Sequence, residues 1–441
     1  MKKVAVILIF AALLCSMQTA SAEWSWESAA APYKGQTIYV LLQTHPATDA
    51  TAPLIEEFEK MTGINVEMEL LQRRAMNTRE EMELSASKGA YDVTHNAPPK
   101  RVRYARANWA APLNGFIKNS DLTSPDFNLD DFVPAYLDML KIDETIYGLP
   151  FSGETNLLYY RTDIFEEHGI AGPPQTIDEL EEIAAKIDTE DIPAFVTRAV
   201  KGQGINVYTW ATFLRSYGGD FFDQDLKPTL DTPEAILATE KYAEILQNYG
   251  PFGVSGYSHY ECTTDFSQGK VAMFLGAGPW GASVFNDPAK SKIIGKWMAA
   301  QVPAGPEGRF TDAYTHGMMI PANAANKEAA WLFIQWYTST ETQLARAVKE
   351  GGDGSVTRIS VFNDPDYQEW YKKGNWAAAQ LEAVEKYGAE LRPNSLPEWL
   401  EVGDRIGAAV QQVIAGEATA EEAMTAANED VYQIMQEAGY Y

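Results

Sequence analysis

The sequence predicts an α/β protein of two lobes, each a mainly parallel sheet flanked by helices. Three observations predict it. Residues 36–94 alternate strand and helix patterns in the order β-α-β-α-β, which favours parallel strands with crossover helices. The chain has 441 residues, too many for one ordinary hydrophobic core. No repeat, low-complexity tract or flexible linker divides it, so the lobes are expected to be joined by several short crossings.

The elements follow in order. Residues 1–22 read as a secretory signal: Lys2 and Lys3 are the charged start, and 4–14 is an apolar run too short to span a bilayer comfortably. Ala20-Ser21-Ala22 is a small-residue cleavage site, and Leu14 before Cys15 argues against lipoprotein processing. Export to a bacterial periplasm with cleavage after Ala22 is expected. Residues 23–34 form a loosely ordered leader. The run at 36–42 (QTIYVLL) is a strand, followed by a helix over 50–62 with Leu54, Ile55, Phe58 and Met61 at helical spacing. Gly63 stops it. Residues 64–71 alternate as a second strand, 79–88 are helical, and 91–94 are a third strand.

Residues 146–167 then set a break, a strand and a helix in sequence. Gly148-Leu149-Pro150 interrupts the chain, because proline cannot donate to a ladder and glycine relaxes the backbone. Ser152 to Asn156 reads as a short polar edge, 157–160 as a β-prone run, and Arg161-Thr162-Asp163 as a helix start near Ile164. Helices are expected over 177–187, 207–217, 233–249, 326–338, 408–414 and 420–438, and strands over 271–275 and 317–321.

Charge and composition narrow the function. The formal net charge is −26, which repels phosphate backbones and anionic lipid, so no nucleic-acid or membrane-surface partner is expected, and a strongly anionic substrate is disfavoured unless a local cationic site overrides the global field. Aromatic residues make up 12%, including 11 Trp and 22 Tyr; they fill cores, and their flat faces with polar tips also suit sugar rings. Cys262 is the single cysteine beyond the signal segment, so no intrachain disulfide forms. His259 lies three residues before it, but a structural buried thiol is the preferred reading.

Several motifs, in order along almost the whole chain after the signal segment, resemble one family. They are Phe58, Thr62, Gly63 and Ile64; Tyr91-Asp92-Val93; Tyr147-Gly148-Leu149-Pro150 with 158–165; Tyr217-Gly218-Gly219; 269–273; Gly278-Pro279-Trp280; and 317–330. Together they resemble the family 1 extracellular solute-binding proteins of ABC importers, the group of maltose-binding and multiple-sugar-binding proteins. Arg161 departs from the Asn or Asp of many members. The resemblance implies a periplasmic-binding-protein clamp with multiple hinge crossings. Its first lobe would hold 36–150 plus 314–358, and its second 151–313 plus 359–441. It implies a monomeric receptor, not an enzyme, that delivers a small carbohydrate or polyol to permease subunits, without cofactor.

Loops that follow the strands should line the cleft of such a clamp. Gln43, Thr44 and His45 follow the first strand, where the alternative for His45-Pro46 is a turn. Arg73 follows the second, with surface pairing to nearby glutamates as its alternative. His95 and Asn96 follow the third. Glu154 suits a pair of sugar hydroxyls, against a hinge salt bridge to Arg161 or another cation. Tyr208 and Trp210 open a helix, either in the site or in the core. Trp280 resembles the family's aromatic stacking position. Tyr314, His316 and Gly317 lie at a lobe crossing, and Arg358 could grip vicinal hydroxyls. Asp312 and Trp399 are lesser candidates.

Other chemistries find less support. Gly276, Gly278 and Gly281 match G-x-G-x-x-G, but a dinucleotide fold would open a helix there with an acid about 20 residues on. Lys296-Trp297-Met298 stands at that distance. The five histidines, at 45, 95, 168, 259 and 316, contain no i, i+4 pair, so no metal site is expected. An exported carbohydrate-active enzyme, or a peptide or sensory receptor using the same clamp, remains the alternative function.

Overall fold

The computed structural model describes residues 24–441, with backbone only at 278–280 and 282. The expected signal segment lies outside the described residues. Nine strands form one mixed sheet. They are β1 (Thr37–Gln43), β2 (Asn65–Leu71), β3 (Val93–Asn96), β4 (Leu149–Arg161), β5 (Phe195–Val196), β6 (Met273–Ala277), β7 (Trp297–Ala300), β8 (Thr311–Met319) and β9 (Gly388–Ala389). The strand order is β2-β1-β3-β8-β4-β6-β5, with β7 also on β4 and β9 on β8. β1 pairs parallel with β2 and β3, and β5 with β6. The joining strands are antiparallel: β8 to β3 and β4, and β4 to β6 and β7.

Two hydrophobic cores flank the joining strands. Ile38, Val40 and Leu42 of β1 pack with Trp331 and Phe333 of helix Lys327–Tyr337 in the first. Leu157, Leu158 and Tyr159 pack with Trp210, Phe213 and Trp399 in the second. β4 serves both, because Leu149 and Phe151 belong to the first core. β8 does the same through Met318 and Ala313. Core membership does not divide at single chain positions. Val133, Tyr136 and Met139, before Pro150, and Ala347 and Val356, before Arg358, all pack in the second core.

The region 148–156 differs most from expectation. It is no break but the first half of a 13-residue strand. Register explains how Pro150 is tolerated. His316 faces Ser152 and Gly317 faces Pro150, so Phe151 is the extra residue of a bulge, a place that accepts proline. The Thr357 hydroxyl donates to the Pro150 carbonyl at 2.8 Å. The polar run is likewise one face of a strand, since Ser152, Glu154 and Asn156 recur at period two.

Smaller differences have local causes. The helix expected over 50–62 starts at Pro46 and splits into Pro46–Thr51 and Ile55–Thr62, with Pro53 in the tight turn between. Gly63, at φ 71°, ends it as expected. The next helix is Arg73–Leu84, because Met76, Glu80 and Leu84 repeat every four residues on a buried face. The leader is ordered: Ser25 caps helix Trp26–Ala30, whose Ala29 and Ala30 join the first core. The 317–321 strand lies instead at 311–319, and the 408–414 helix begins at Trp399. A helix does open after β6, at Gly278–Phe285. The glycines beside it serve packing, as a Cβ on Gly276 would meet Phe274 at 2.5 Å and one on Gly281 would meet Phe285 at 2.7 Å.

Candidate functional site

Strand alternation builds the floor of a cavity between the cores. Tyr314 faces Glu154 and His316 faces Ser152 across β8 and β4. Side chains two apart share a face, so Glu154, Tyr314 and His316 line one cavity of about 260 Å³.

Its first wall comes from the ends of β1 and β2. Pro46 begins a helix and His45 caps it: Nδ1 accepts the Ala47 amide at 3.1 Å, and the His45 amide donates to Thr48 Oγ1 at 3.0 Å. An accepting Nδ1 fixes a neutral ring with its proton on Nε2. Burial lowers the His45 pKa to about 4. The ring also faces the cavity, so His45 is both the turn and the lining residue. Gln43 and Arg73 complete this wall, the Arg73 Nε donating to Gln43 Oε1 at 3.2 Å. Arg73 makes none of the expected pairs with glutamate; Arg79 and Arg103 take Glu83 and Glu81.

The opposite wall carries an aromatic ring between two guanidinium groups. Tyr208 lies in the first turn of helix Asn206–Ser216. Arg198 and Arg392 place their Cζ atoms 4.9 and 4.7 Å from its ring centroid, a cation–π arrangement. Arg198 Nη1 donates to the Gly204 carbonyl and Nη2 to His259 Nδ1, both at 3.2 Å. Arg392 pairs through Nε with Asp312 and donates through Nη1 to the Gln203 carbonyl at 3.0 Å. Both members of the Arg392–Asp312 pair are almost fully buried.

Burial sets the charge states. His316, His259 and His95 lie well below the usual imidazole range because the charged form loses its water. Burial also raises the Glu154 carboxyl, with Arg198, Arg73 and Arg392 pulling it back down. His95 Nε2 and His316 Nδ1 share a 3.0 Å hydrogen bond, and His45 and His316 have ring centroids 4.7 Å apart. Although these rings converge, no group of three or more potential ligands among the described residues could hold a metal ion.

Of the sequence-predicted residues, the cavity gathers Gln43, Thr44, His45, Arg73, Glu154, Tyr208, Tyr314 and His316. His95 lines a smaller adjoining space of about 80 Å³ that shares Gln43, Arg73 and Tyr314. The others are placed in structural work. Asn96 donates to the Tyr147 carbonyl and accepts the Ala97 amide. Trp210 is in the second core, donating to Thr239 Oγ1 and packing edge-on against Phe221. Gly317 sits at the bulge, where a Cβ would meet Leu140 at 2.4 Å. Arg358 pairs with Asp131 at 3.1 Å and lies over the Phe132 ring. The Trp280 side chain lies outside the described residues. The Glu154–Arg161 bridge does not form, because Asp163 holds Arg161 at 2.6 Å. Cys262 is fully buried, which raises its thiol far above the reactive range.

Sequence reasoning missed Arg198, Gln203, Gly204, Tyr260 and Arg392, and read His259 only as a neighbour of Cys262. Arg198 follows β5 as Gln43 ends β1, so the strand-end rule applies to it, but a two-residue strand gives no periodicity. Arg392 lies on a loop and carries no local signal.

Two cores joined by shared strands, with a polar cavity fed by both sides, define a two-lobed solute-binding clamp. Comparison with known proteins agrees. The model of the bacterial extracellular solute-binding proteins matches residues 44–344, and the chain belongs to that family. A mannitol-binding protein of Pseudomonas aeruginosa is 25% identical over 399 residues, covering 87% of this chain and 89% of its own. An erythritol/L-threitol-binding protein of Mycolicibacterium smegmatis is 28% identical over 351 residues, covering 75% and 72%. The crystal structure of an ABC transporter solute-binding protein of Agrobacterium radiobacter K84 in complex with ribitol superposes with a TM-score of 0.80 at 26% identity, covering 91% of this chain and 99% of that one.

Proposed function

We propose that this chain is the periplasmic receptor of an ABC importer and captures a small sugar or sugar alcohol between its lobes. The observation that carries the reading is the two-sided cavity. Gln43, His45 and Arg73 approach from one core, Arg198, Tyr208 and Arg392 from the other, and Glu154 and Tyr314 lie on the strands that join them. A ligand touching both walls binds the closed form best and so favours closure. The volume of about 260 Å³ lies at the small end of ligand pockets, which supports a monosaccharide or polyol over a long oligosaccharide. The names of the three relatives point the same way.

The lobes are taken as 36–150 plus 314–358 and 151–313 plus 359–441, with the signal segment cleaved after Ala22, a monomeric mature chain and permease subunits as its partner. Gln43, His45, Arg73, His95, Glu154, Tyr208 and Tyr314 are the proposed contacts, with Trp280 kept as a stacking candidate. The test is a thermal-shift screen of polyols, monosaccharides, disaccharides and peptides, with product analysis of each mixture. A carbohydrate that raises the melting temperature and is recovered intact is expected; turnover, or silence from every carbohydrate, would sink the reading. Glu154→Gln is expected to weaken binding of the hit by about 1.5–3 kcal/mol, the worth of hydrogen bonds to a charged group, with the melting temperature of the free protein retained.

A further inference from the structure

We propose that the ligand carries a carboxylate as well as hydroxyls, an aldonate-type sugar acid, with Arg198 and Arg73 on its carboxylate and Glu154 on its hydroxyls. The inference rests on the reading of this cavity as the solute site, and charge balance leads to it. Three guanidinium groups line the cavity. Arg392 is matched by Asp312 behind it, and Glu154 is the one carboxylate on the lining itself. The lining histidines His45, His259 and His316 are held neutral by burial. One positive charge is therefore uncompensated, inside a chain whose net charge is −26. A monoanion restores neutrality, and a neutral polyol does not.

The geometry says where that anion sits. Arg198 is 7% exposed, and no carboxylate pairs with it among the described residues. Two of its nitrogens are bonded to the Gly204 carbonyl and His259, while Nε is buried without a partner. A buried guanidinium with no directly paired carboxylate is costly, and Glu154 acts on it only as a charge at longer range. Arg73 arrives at the same place from the other wall: its Nη1 lies 3.6 Å from where a Cβ on Gly204 would stand. Two like charges from opposite lobes thus meet at Gly204, and their repulsion opposes closure until an anion lies between them. Carboxylates suit this position because guanidinium forks match their two oxygens. The Tyr208 hydroxyl, buried and without a partner, adds a neutral donor beside Arg198.

The test is calorimetric titration of the mature chain with D-ribonate, D-gluconate, D-mannonate and D-galactonate, each beside the alditol of the same carbon skeleton. The best aldonate is expected to bind at least about tenfold tighter than its own alditol, as charge-assisted hydrogen bonds provide. Arg198→Gln is expected to shrink that ratio to within roughly twofold. Because Arg198 is buried and its loss threatens folding, the exposed Arg73→Gln is the second variant, with a larger loss for aldonate than for alditol. An alditol that binds as tightly as its aldonate, or a ratio untouched by both substitutions, overturns the carboxylate and leaves the polyol receptor standing. L-Alanine, a carboxylate without hydroxyls, binding more tightly than every aldonate overturns the hydroxylated ligand, and no carbohydrate binding at all removes both readings together.

Discussion

The two walls of the cavity are built to different standards. On the first, Arg73 is exposed and its Nε is held by one contact, to Gln43 at 3.2 Å. On the second, Arg198 and Arg392 are buried, stacked on Tyr208 and anchored to backbone carbonyls. A group fixed before the ligand arrives loses little freedom on binding, whereas an exposed arginine gives up much of its rotamer entropy. In the proposed receptor the second wall acts as a preformed template, and the first closes over what the template holds. It also follows that the second wall cannot be altered without disturbing the fold, while Arg73 on the first can.

Substitutions and acid separate these roles, beginning with the largest effect. Arg392→Ala leaves Asp312 buried and unpaired, and is expected to cost about 3–5 kcal/mol of stability, read by urea unfolding. A cost below 1 kcal/mol would show that water replaces the pair and that the second wall is less rigid than drawn. Acid comes next. The His45 pKa falls from 6.5 to about 4 in the folded chain, so the unfolded chain takes the proton first. Stability is then full above pH 6.5 and declines as pH falls toward 4, by on the order of 3 kcal/mol for this ring alone. His95, His259 and His316 act in the same direction. Unfolding curves for the parent and His45→Gln are expected to converge over that window; parallel curves would remove His45 from the balance. The smallest effect is Arg73→Ala, with stability unchanged within about 0.5 kcal/mol and ligand affinity reduced by about tenfold. Equal losses in stability would erase the distinction between the walls.

The legibility of the sequence followed the same division. Long periodic elements were readable, and the helices Ile177–Ile187 and Pro233–Tyr249 lie where spacing and caps put them. The first wall was readable too, because Gln43 and His45 stand at the end of a strongly apolar strand and Arg73 follows an alternating one. The secondary structure was misread at Pro150, where a local rule against proline in strands met a bulge set by a partner more than 160 residues away. β8 contains a usable signal that went unread: Asp312, Tyr314 and His316 alternate with Ala313, Thr315 and Gly317, which puts three polar groups on one face. The second wall depends on contacts such as Arg392 with Tyr208, far apart in the chain, for which no local pattern exists. Trp210 and Arg358 have the right chemistry for sugar, but tertiary packing uses it for Thr239 and Asp131.

The interleaving of the cores also constrains how the chain is made. The first core needs Met318, Ile320 and Trp331 as well as Ile38 and Val40, so a ribosome has released most of the molecule before that core has all its parts. The second core needs Val431 and Met435, close to the end of translation. Neither half is autonomous, and its ladders join distant segments, a topology that folds slowly. The nascent protein therefore remains unfinished until late.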